Sequence, residues 1–587
     1  MNLKKILLDD LKQSLEKCGF DSSLAQVSFS GKPELADFQS NMAFGLAKQA
    51  HKAPMELAAE LANNLPKSDL YEVSVVPPAF INFKLTEKGI NEYANFCLSD
   101  DMVGLEKLDS SRRIFMDYGG ANVAKELHIG HLRSPIIGEA LSRLHKYLGD
   151  TVISDVYLGD WGTQMGLTIA ELEDEGLLEF YFGRSTQKQA ITLDMLNVAY
   201  PKASARKKTD LAFKNKAAEY TLYVQSKKQP YYGIYEEIRK VSVDRIKQNY
   251  DVLGCHFDLW NGESTAQPYV APTIQVFKDK NLAKISDGAL IVDVSEPGEN
   301  VPSGKFDENG KELLINPMPP VMLQKANGAD IYDTTEIATI NMRYQKYHPD
   351  EFIYVVDNRQ SGHFVITFRA AKMAELVGKD TKLTHVSYGT MNGTDGKPFK
   401  TRSGDTIKLE DIINLIKNSA KKKLEENGIV GDDKLALKIG LAAMKFGDLS
   451  SITSRDYVFD IDKFASFEGK TGPYIQYTGT RIKSLISKAG TYTSGVSIFG
   501  ADERELIINL IKLNESYYSS YSEYSLNSLC LSLYNFCATF SRFYNNTKIL
   551  TENDKSKRNS YLSLCKLALS AIEKAAFVLG FEIPDNM

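Results

Sequence analysis

Between Arg113 and Tyr147 the sequence sets a short apolar run, Arg113-Ile114-Phe115-Met116-Asp117-Tyr118, ahead of a glycine-bearing turn. A longer segment follows from Leu132 to Tyr147, with Ile136, Ile137, Ala140, Leu141 and Leu144 at helical spacing. A strand that feeds a helix in this way predicts a parallel sheet covered by helices. The turn carries His128-Ile129-Gly130-His131. Backbone N–H groups and the positive end of a helix dipole attract an anion there, and two imidazoles can donate to phosphate oxygens where charge develops during transfer. With 8 His and 40 Gly in 587 residues, a His-x-Gly-His is rare by chance. Its bland reading is a pair of ordinary histidines near a helix start; its functional reading fits any adenylyl-transferring enzyme of the nucleotidyltransferase type.

Composition narrows the class without choosing the chemistry. At 43% apolar and 25% charged residues the chain is an ordinary globular one with room for several domains. No run of eighteen apolar residues marks a membrane span, and the opening Met1-Asn2-Leu3-Lys4-Lys5-Ile6-Leu7-Leu8-Asp9-Asp10 reads as an amphipathic helix. The six cysteines lie scattered with no Cys-x-x-Cys, which predicts reduced thiols in a cytoplasm and no structural zinc. A net charge of −5 neither advertises nor excludes a nucleic-acid partner, because phosphate contacts need only a local basic face.

Several zones follow along the chain. Residues 1–108 mix helical periodicity (Met55, Leu57, Ala58, Leu61) with strand-like runs at Glu72–Val76 and Phe80–Lys84, predicting a small α+β module. Strands and helices then alternate over 109–395, the frame of a Rossmann-like α/β domain. A charged, tyrosine-rich stretch at 187–248 interrupts it and reads as part of an insertion spanning about 170–325. Alternation resumes with a helix at Thr335–Tyr347, a strand at Phe352–Val356 and a helix expected at Thr367–Val377. A basic loop and linker occupy 396–460, and 461–587 is all-helical, with Leu526, Leu529, Leu533, Phe536, Phe540 and Phe543 at steps of three and four. That aromatic stripe is expected in the core, since stacking platforms must be exposed.

Two further groups carry chemistry. The loop Gly393-Thr394-Asp395-Gly396-Lys397-Pro398-Phe399-Lys400-Thr401-Arg402-Ser403-Gly404 combines glycines with Lys397, Lys400 and Arg402, as closure over a leaving polyphosphate requires; its bland reading is a solvated loop. Tyr332 and Glu336, one helical turn apart, can share a cavity with Asp117, and two carboxylates with a phenol suit a planar guanidinium. On spacing alone, these acids are equally well read as surface or capping groups.

Together these segments resemble class I aminoacyl-tRNA synthetases, and within them the bacterial-type arginyl-tRNA synthetases. Asn122-Val123-Ala124-Lys125 before His128-Ile129-Gly130-His131-Leu132-Arg133-Ser134 is similar to the arginyl form of the HIGH signature. Tyr157-Leu158-Gly159-Asp160-Trp161-Gly162-Thr163-Gln164 resembles the segment that follows it. Phe467-Glu468-Gly469-Lys470-Thr471-Gly472-Pro473-Tyr474-Ile475-Gln476-Tyr477 and the ending after Phe543-Tyr544 resemble the helical anticodon-binding domain, and Asp37-Phe38-Gln39-Ser40-Asn41 the N-terminal tRNA-contacting module.

The resemblance implies an arginine–tRNA ligase that uses ATP, accompanied by Mg²⁺, to make arginyl-adenylate and then charges the terminal adenosine of tRNA(Arg). It implies that His128, Gly130, His131 and His363 contact ATP, that Asn122 and Gln360 hold the amino-acid end of arginine, and that Asp117, Tyr332 and Glu336 bind its guanidinium. The basic loop departs from the KMSKS signature at Pro398 and Thr401, so phosphate contacts fall first to Lys125 and then to Lys397, Lys400 and Arg402; in the catalytic set, Lys125 and Lys400 join His128 and His131. Glu336 stands where an aspartate is expected. The family also implies a monomer, no membrane partner and no arginine activation until tRNA is bound. A metabolite adenylyltransferase would leave the terminal domains without purpose, and a silent tRNA-binding paralogue would have lost His128, His131 or Asn122.

Overall fold

A computed structural model describes every residue except 309, 316, 317, 327–331, 398–406, 430 and 431; of residues 302–304 and 332 it describes the backbone alone. At its centre are β1 (Arg113–Asp117), α1 (Arg133–Leu148), β2 (Thr151–Asp155), α2 (Tyr332–Tyr347), β3 (Glu351–Asp357), α3 (Ser361–Met373) and β4 (Lys382–Tyr388). The four strands form one parallel sheet in the order β4-β3-β1-β2. Ile114, Phe115 and Met116 are buried in succession, as a strand covered on both faces demands. From β1 the chain steps outward to β2, and from β3 it steps the other way to β4. The crevice beyond the carboxyl ends of β1 and β3 is therefore the topological switch point, where such sheets bind ligands.

Register brings the important side chains together at that edge. Asp117 pairs with Asp155 across β1 and β2, and with Tyr354 across β1 and β3. The central helix α1 presses close behind them. A Cβ on Gly138 would stand 2.2 Å from the Tyr118 ring, so only glycine lets helix and strand approach this far. The helix expected at Thr367–Val377 instead begins at Ser361 and ends at Met373. Asp357 caps the short 3-10 turn Asn358–Gln360 by accepting from the Arg359 N–H at 2.8 Å, and the helix grows directly out of that turn.

The charged stretch at 187–248 is helical, with Leu193–Arg206, Leu211–Gln225 and Tyr231–Val252 burying Leu196, Phe213, Ile234 and Ile238. Its charges sit outside, Arg206 pairing with Asp174 at 2.6 Å and Asp210 at 3.1 Å. Glu263–Asp279 then packs on α2, and Ala283–Ser286, Ala289–Val292 and Val321–Gln324 make a small antiparallel sheet beside it. Beyond Leu409 six long helices dominate the described residues, from Leu409–Glu426 to Lys555–Val578. The stripe from Leu526 to Phe543 is buried as expected.

The N-terminal part is a four-stranded antiparallel sheet with helices. Asp37 and Phe38, whose segment resembles a tRNA-contacting module, are themselves buried. Asp37 takes a bidentate pair from Arg504, at 3.1 Å and 2.6 Å, and so fastens this module to the helix Ala501–Glu523.

Candidate active site

His128 caps the short turn Ile129–His131 that runs into α1. The Gly130 N–H donates to His128 Nδ1 at 3.1 Å, and the His128 N–H donates to His131 Nδ1, also at 3.1 Å. Each Nδ1 is thus an acceptor, which places the proton of both neutral rings on Nε2 and makes Nε2–H the outward donor. Burial pushes His131 down to about 3, with His128 and Lys125 adding to the shift; burial and then Lys125 also lower His128. The rings lie 4.0 Å apart. A Cβ on Gly130 would approach His128 Cε1 to 2.8 Å, so the glycine keeps the first imidazole in place. Lys125 is exposed, near enough for its charge to act on both rings.

The far end of the basic loop returns to this turn. Ile129 N–H donates to Ile407 O and Leu409 N–H donates to Leu127 O, both at 3.0 Å. Lys397, at the near end, is exposed, and its N–H donates to Asp395 Oδ1 at 3.0 Å. Lys400 and Arg402 lie outside the described residues, as do Pro398 and Thr401.

Arg133 anchors the turn from behind. Its guanidinium pairs with Asp448 Oδ1 at 2.9 Å, donates to Gly389 O at 2.6 Å, and lies 4.9 Å from the Tyr457 ring centre. The entrance to α1 is therefore fixed to the helix Asp433–Leu449 by a buried charge pair.

A cavity of about 300 Å³ opens at the switch point, and Asp117, Asn122, Gly130, His131, Glu336 and Gln360 line it. These are six of the residues marked by sequence, and the fold brings them to one cavity, whose lining does not include His128, Lys125 or Lys397. Tyr332 begins α2, but its side chain is outside the description. His363 does not line this cavity; its Nδ1 lies 2.8 Å from Asp333 Oδ1 and its ring packs on Phe364.

Among the cavity residues that sequence reasoning missed are Glu263 and Tyr157, with their support. Glu263 opens the helix Glu263–Asp279, where an acid reads as an ordinary first-turn residue; Tyr157 was quoted only as part of a motif. Burial pushes Glu263 up to about 7, with Asp160 and Glu336 adding to it, and burial likewise raises Asp117 to about 7 against the pull of Arg343. Arg343 pairs with Asp117 at 2.7 Å and Asp155 at 2.8 Å. Three carboxylates around a small cavity call for a cation, and donors aimed outward from its rim call for an anion.

Comparison with known proteins decides between the enzymes that share such a turn. The profile described as "tRNA synthetases class I (R), catalytic domain" matches residues 94–461, the "Arginyl tRNA synthetase N terminal domain" matches 5–85, and the "DALR anticodon binding domain" matches 475–587. The arginine–tRNA ligase of Alkaliphilus oremlandii is 39% identical, with 97% of each chain covered. The chain belongs to the arginyl-tRNA synthetases. The arginine–tRNA ligase of Agathobacter rectalis is likewise 39% identical over 100% of both chains. The Thermus thermophilus arginyl-tRNA synthetase structure, 22% identical, superposes with a TM-score of 0.81 over 100% of both chains, so the fold of the arginyl-tRNA synthetases extends end to end.

Proposed function

We propose that the cavity at the switch point binds L-arginine and that the His128–His131 turn binds ATP, so that the chain makes arginyl-adenylate and charges tRNA(Arg) in protein synthesis. One observation carries this reading: Asp117, Glu263 and Glu336 share a single cavity with His131, an anionic pocket for a guanidinium beside a donor for phosphate. An arginine carboxylate oxygen attacks the α-phosphorus, the bond to the bridging oxygen breaks, and pyrophosphate leaves. The Nε2–H groups of His128 and His131 and the ammonium of Lys125 stabilise the charge that builds on the phosphate oxygens. Lys397, Lys400 and Arg402 cover the leaving group, with His363 on the ATP side.

Asn122 and Gln360 hold the α-amino and α-carboxyl end. Asp117, Glu336, Glu263 and Tyr332 receive the guanidinium, whose five donors no lysine reproduces; a site that would leave buried acceptors unpaired can reject the wrong amino acid by about 10⁴ to 10⁵ without editing. In the second step the 2′-hydroxyl of the terminal adenosine attacks the adenylate carbonyl, and AMP leaves.

Among the described residues no group of three or more His, Cys, Asp or Glu side chains is placed to hold a metal ion. The donor set at the turn is one of N–H groups, so magnesium enters as the counterion of the ATP phosphates. We assign the N-terminal module (1–108) and the helical end (461–587) to tRNA, on either side of a catalytic domain at 109–395 with its insertion at about 170–325 and the loop and linker at 396–460. The protein works as a cytoplasmic monomer; no described helix is long and apolar enough to cross a membrane.

Charging of total tRNA with each amino acid in turn tests this reading. Arginine alone is expected to be transferred, and transfer of any other amino acid, or of none, refutes the assignment. ATP–pyrophosphate exchange is expected only when tRNA is present; full exchange without it removes the tRNA requirement.

A further inference from the structure

Arg343, on α2, is fully buried although its charge is permanent. Its Nη2 lies 2.7 Å from Asp117 Oδ2 and 2.8 Å from Asp155 Oδ2, and its Nη1 donates to Tyr354 Oη at 3.3 Å. Its guanidinium carbon lies 4.7 Å from the Phe115 ring centre and 4.9 Å from that of Tyr157. Apolar residues of the same volume would often pack a core as well as a buried ion pair does. A charge kept here therefore points to a task beyond packing.

Of the acids that line the cavity, Asp117 meets this side chain directly, and Glu263 and Glu336 are tied to it through neighbouring residues and the helix. Asp155 Oδ1 accepts the Asn261 N–H at 3.1 Å and Oδ2 accepts Asn261 Nδ2 at 3.2 Å, and Asn261 stands two residues before Glu263. Glu336 precedes Arg343 by two turns on the same helix face. The Tyr157 ring covers the guanidinium while its hydroxyl meets Thr339 Oγ1 at 2.6 Å.

We propose that Arg343 is a positioning residue for arginine selection, a guanidinium built into the wall that fixes Asp117 through one oxygen and leaves the other to the substrate. The inference rests on the proposed binding of arginine in this cavity. The groups that bear on Asp117 are Arg343 and Glu336 from α2, Asp155 from β2 and Tyr354 from β3, with Glu263 lining the same cavity. Burial raises the Asp117 carboxyl, Asp155 and Glu336 raise it further, and Arg343 draws it down. Arg343 thus lowers the pH at which the carboxylate forms and can meet a substrate guanidinium.

The test is tRNA-supported ATP–pyrophosphate exchange by wild type, R343M and R343K, with KM for arginine and for ATP measured between about pH 6 and about pH 9. In R343M the acidic limb of kcat/KM for arginine is expected to move up by about one unit or more. Its KM for arginine rises about tenfold while KM for ATP stays within about twofold. R343K retains the charge, so its limb stays in place while KM for arginine still rises, because the planar fork and its stacking are lost. D155N removes the carboxylate that raises Asp117, so its limb moves the opposite way; this variant keeps the test decisive if R343M does not fold. Limbs unmoved in R343M and D155N, or a KM for ATP that rises with that for arginine, overturn the role of Arg343. A wild type that activates no arginine instead overturns the reading of the cavity.

Discussion

Replacing Asp448 by alanine strands a guanidinium in the interior. Arg133 is 2% exposed and Asp448 1%, so the remaining partners of Arg133 are carbonyls, Gly389 O at 2.6 Å and Arg455 O at 3.3 Å, and the Tyr388 and Tyr457 rings. Removing one member of a buried pair costs about 3–5 kcal/mol, because the surviving charge keeps its desolvation cost without its counter-charge. Removing both in an R133M/D448L variant is expected to cost less than the two single changes summed, with a coupling of about 1–3 kcal/mol. Urea titration followed by fluorescence measures this cleanly, since both tryptophans, Trp161 and Trp260, lie in the catalytic half. The change also reaches the chemistry. Arg133 begins α1 directly behind the His128–His131 turn, and a misplacement of about 1 Å at such a site costs up to about 100-fold in rate, so kcat for adenylate formation is expected to fall in D448A. A D448A midpoint equal to wild type, or a coupling indistinguishable from zero, refutes the view that this pair ties the active-site helix to the linker helix Asp433–Leu449.

Removing the second imidazole in H131A is expected to lower kcat for exchange by about 10²–10³; a wild-type kcat removes His131 from the transition state. Asp117 and Glu263 each titrate near about 7 in the folded protein, above the ordinary carboxyl range of about 4. The unfolded chain therefore loses these protons first, so the two groups cost the unliganded fold stability as pH rises from about 4 to about 7, and the cost is constant above that. Arginine requires the ionised forms, so thermal stabilisation by arginine is expected to be larger at about pH 8 than at about pH 6, and equal shifts contradict it. Arg504→Ala leaves the Asp37 carboxylate without its bidentate partner, and is expected to cost about 1–3 kcal/mol. Limited proteolysis should then cut the N-terminal module faster than wild type, and unchanged cleavage shows that the module is held otherwise.

Much of the fold was legible because its signals are local. The buried run Ile114-Phe115-Met116 and the helical spacing after Leu132 identify β1 and α1 to within a residue, and the stripe from Leu526 to Phe543 marks a helix by its apolar period. The start of α3 was misread because it rests on the Asp357 cap and a 3-10 turn, which carry no apolar period. The charges at 187–248 hid three helices whose buried residues include small Ala199, Ala203 and Ala217, which leave only a faint stripe.

By itself, then, the sequence determined the His128–His131 turn, the part of the site proposed to face phosphate. His128, Gly130 and His131 fall within one turn, and their mutual hydrogen bonds are made across two and three residues. Only the tertiary structure decided the acidic cavity proposed to receive arginine. Asp117, Asp155, Glu263, Glu336 and Arg343 come from two strands and two helices, and the tertiary fold brings Arg343 within 2.7 Å of Asp117 and 2.8 Å of Asp155, with Glu263 and Glu336 lining the same cavity as Asp117. Coulomb interaction and desolvation act through space in a medium of low polarity, so the pairing of Arg343 with Asp117, and the raised carboxyls around it, have no counterpart in local sequence.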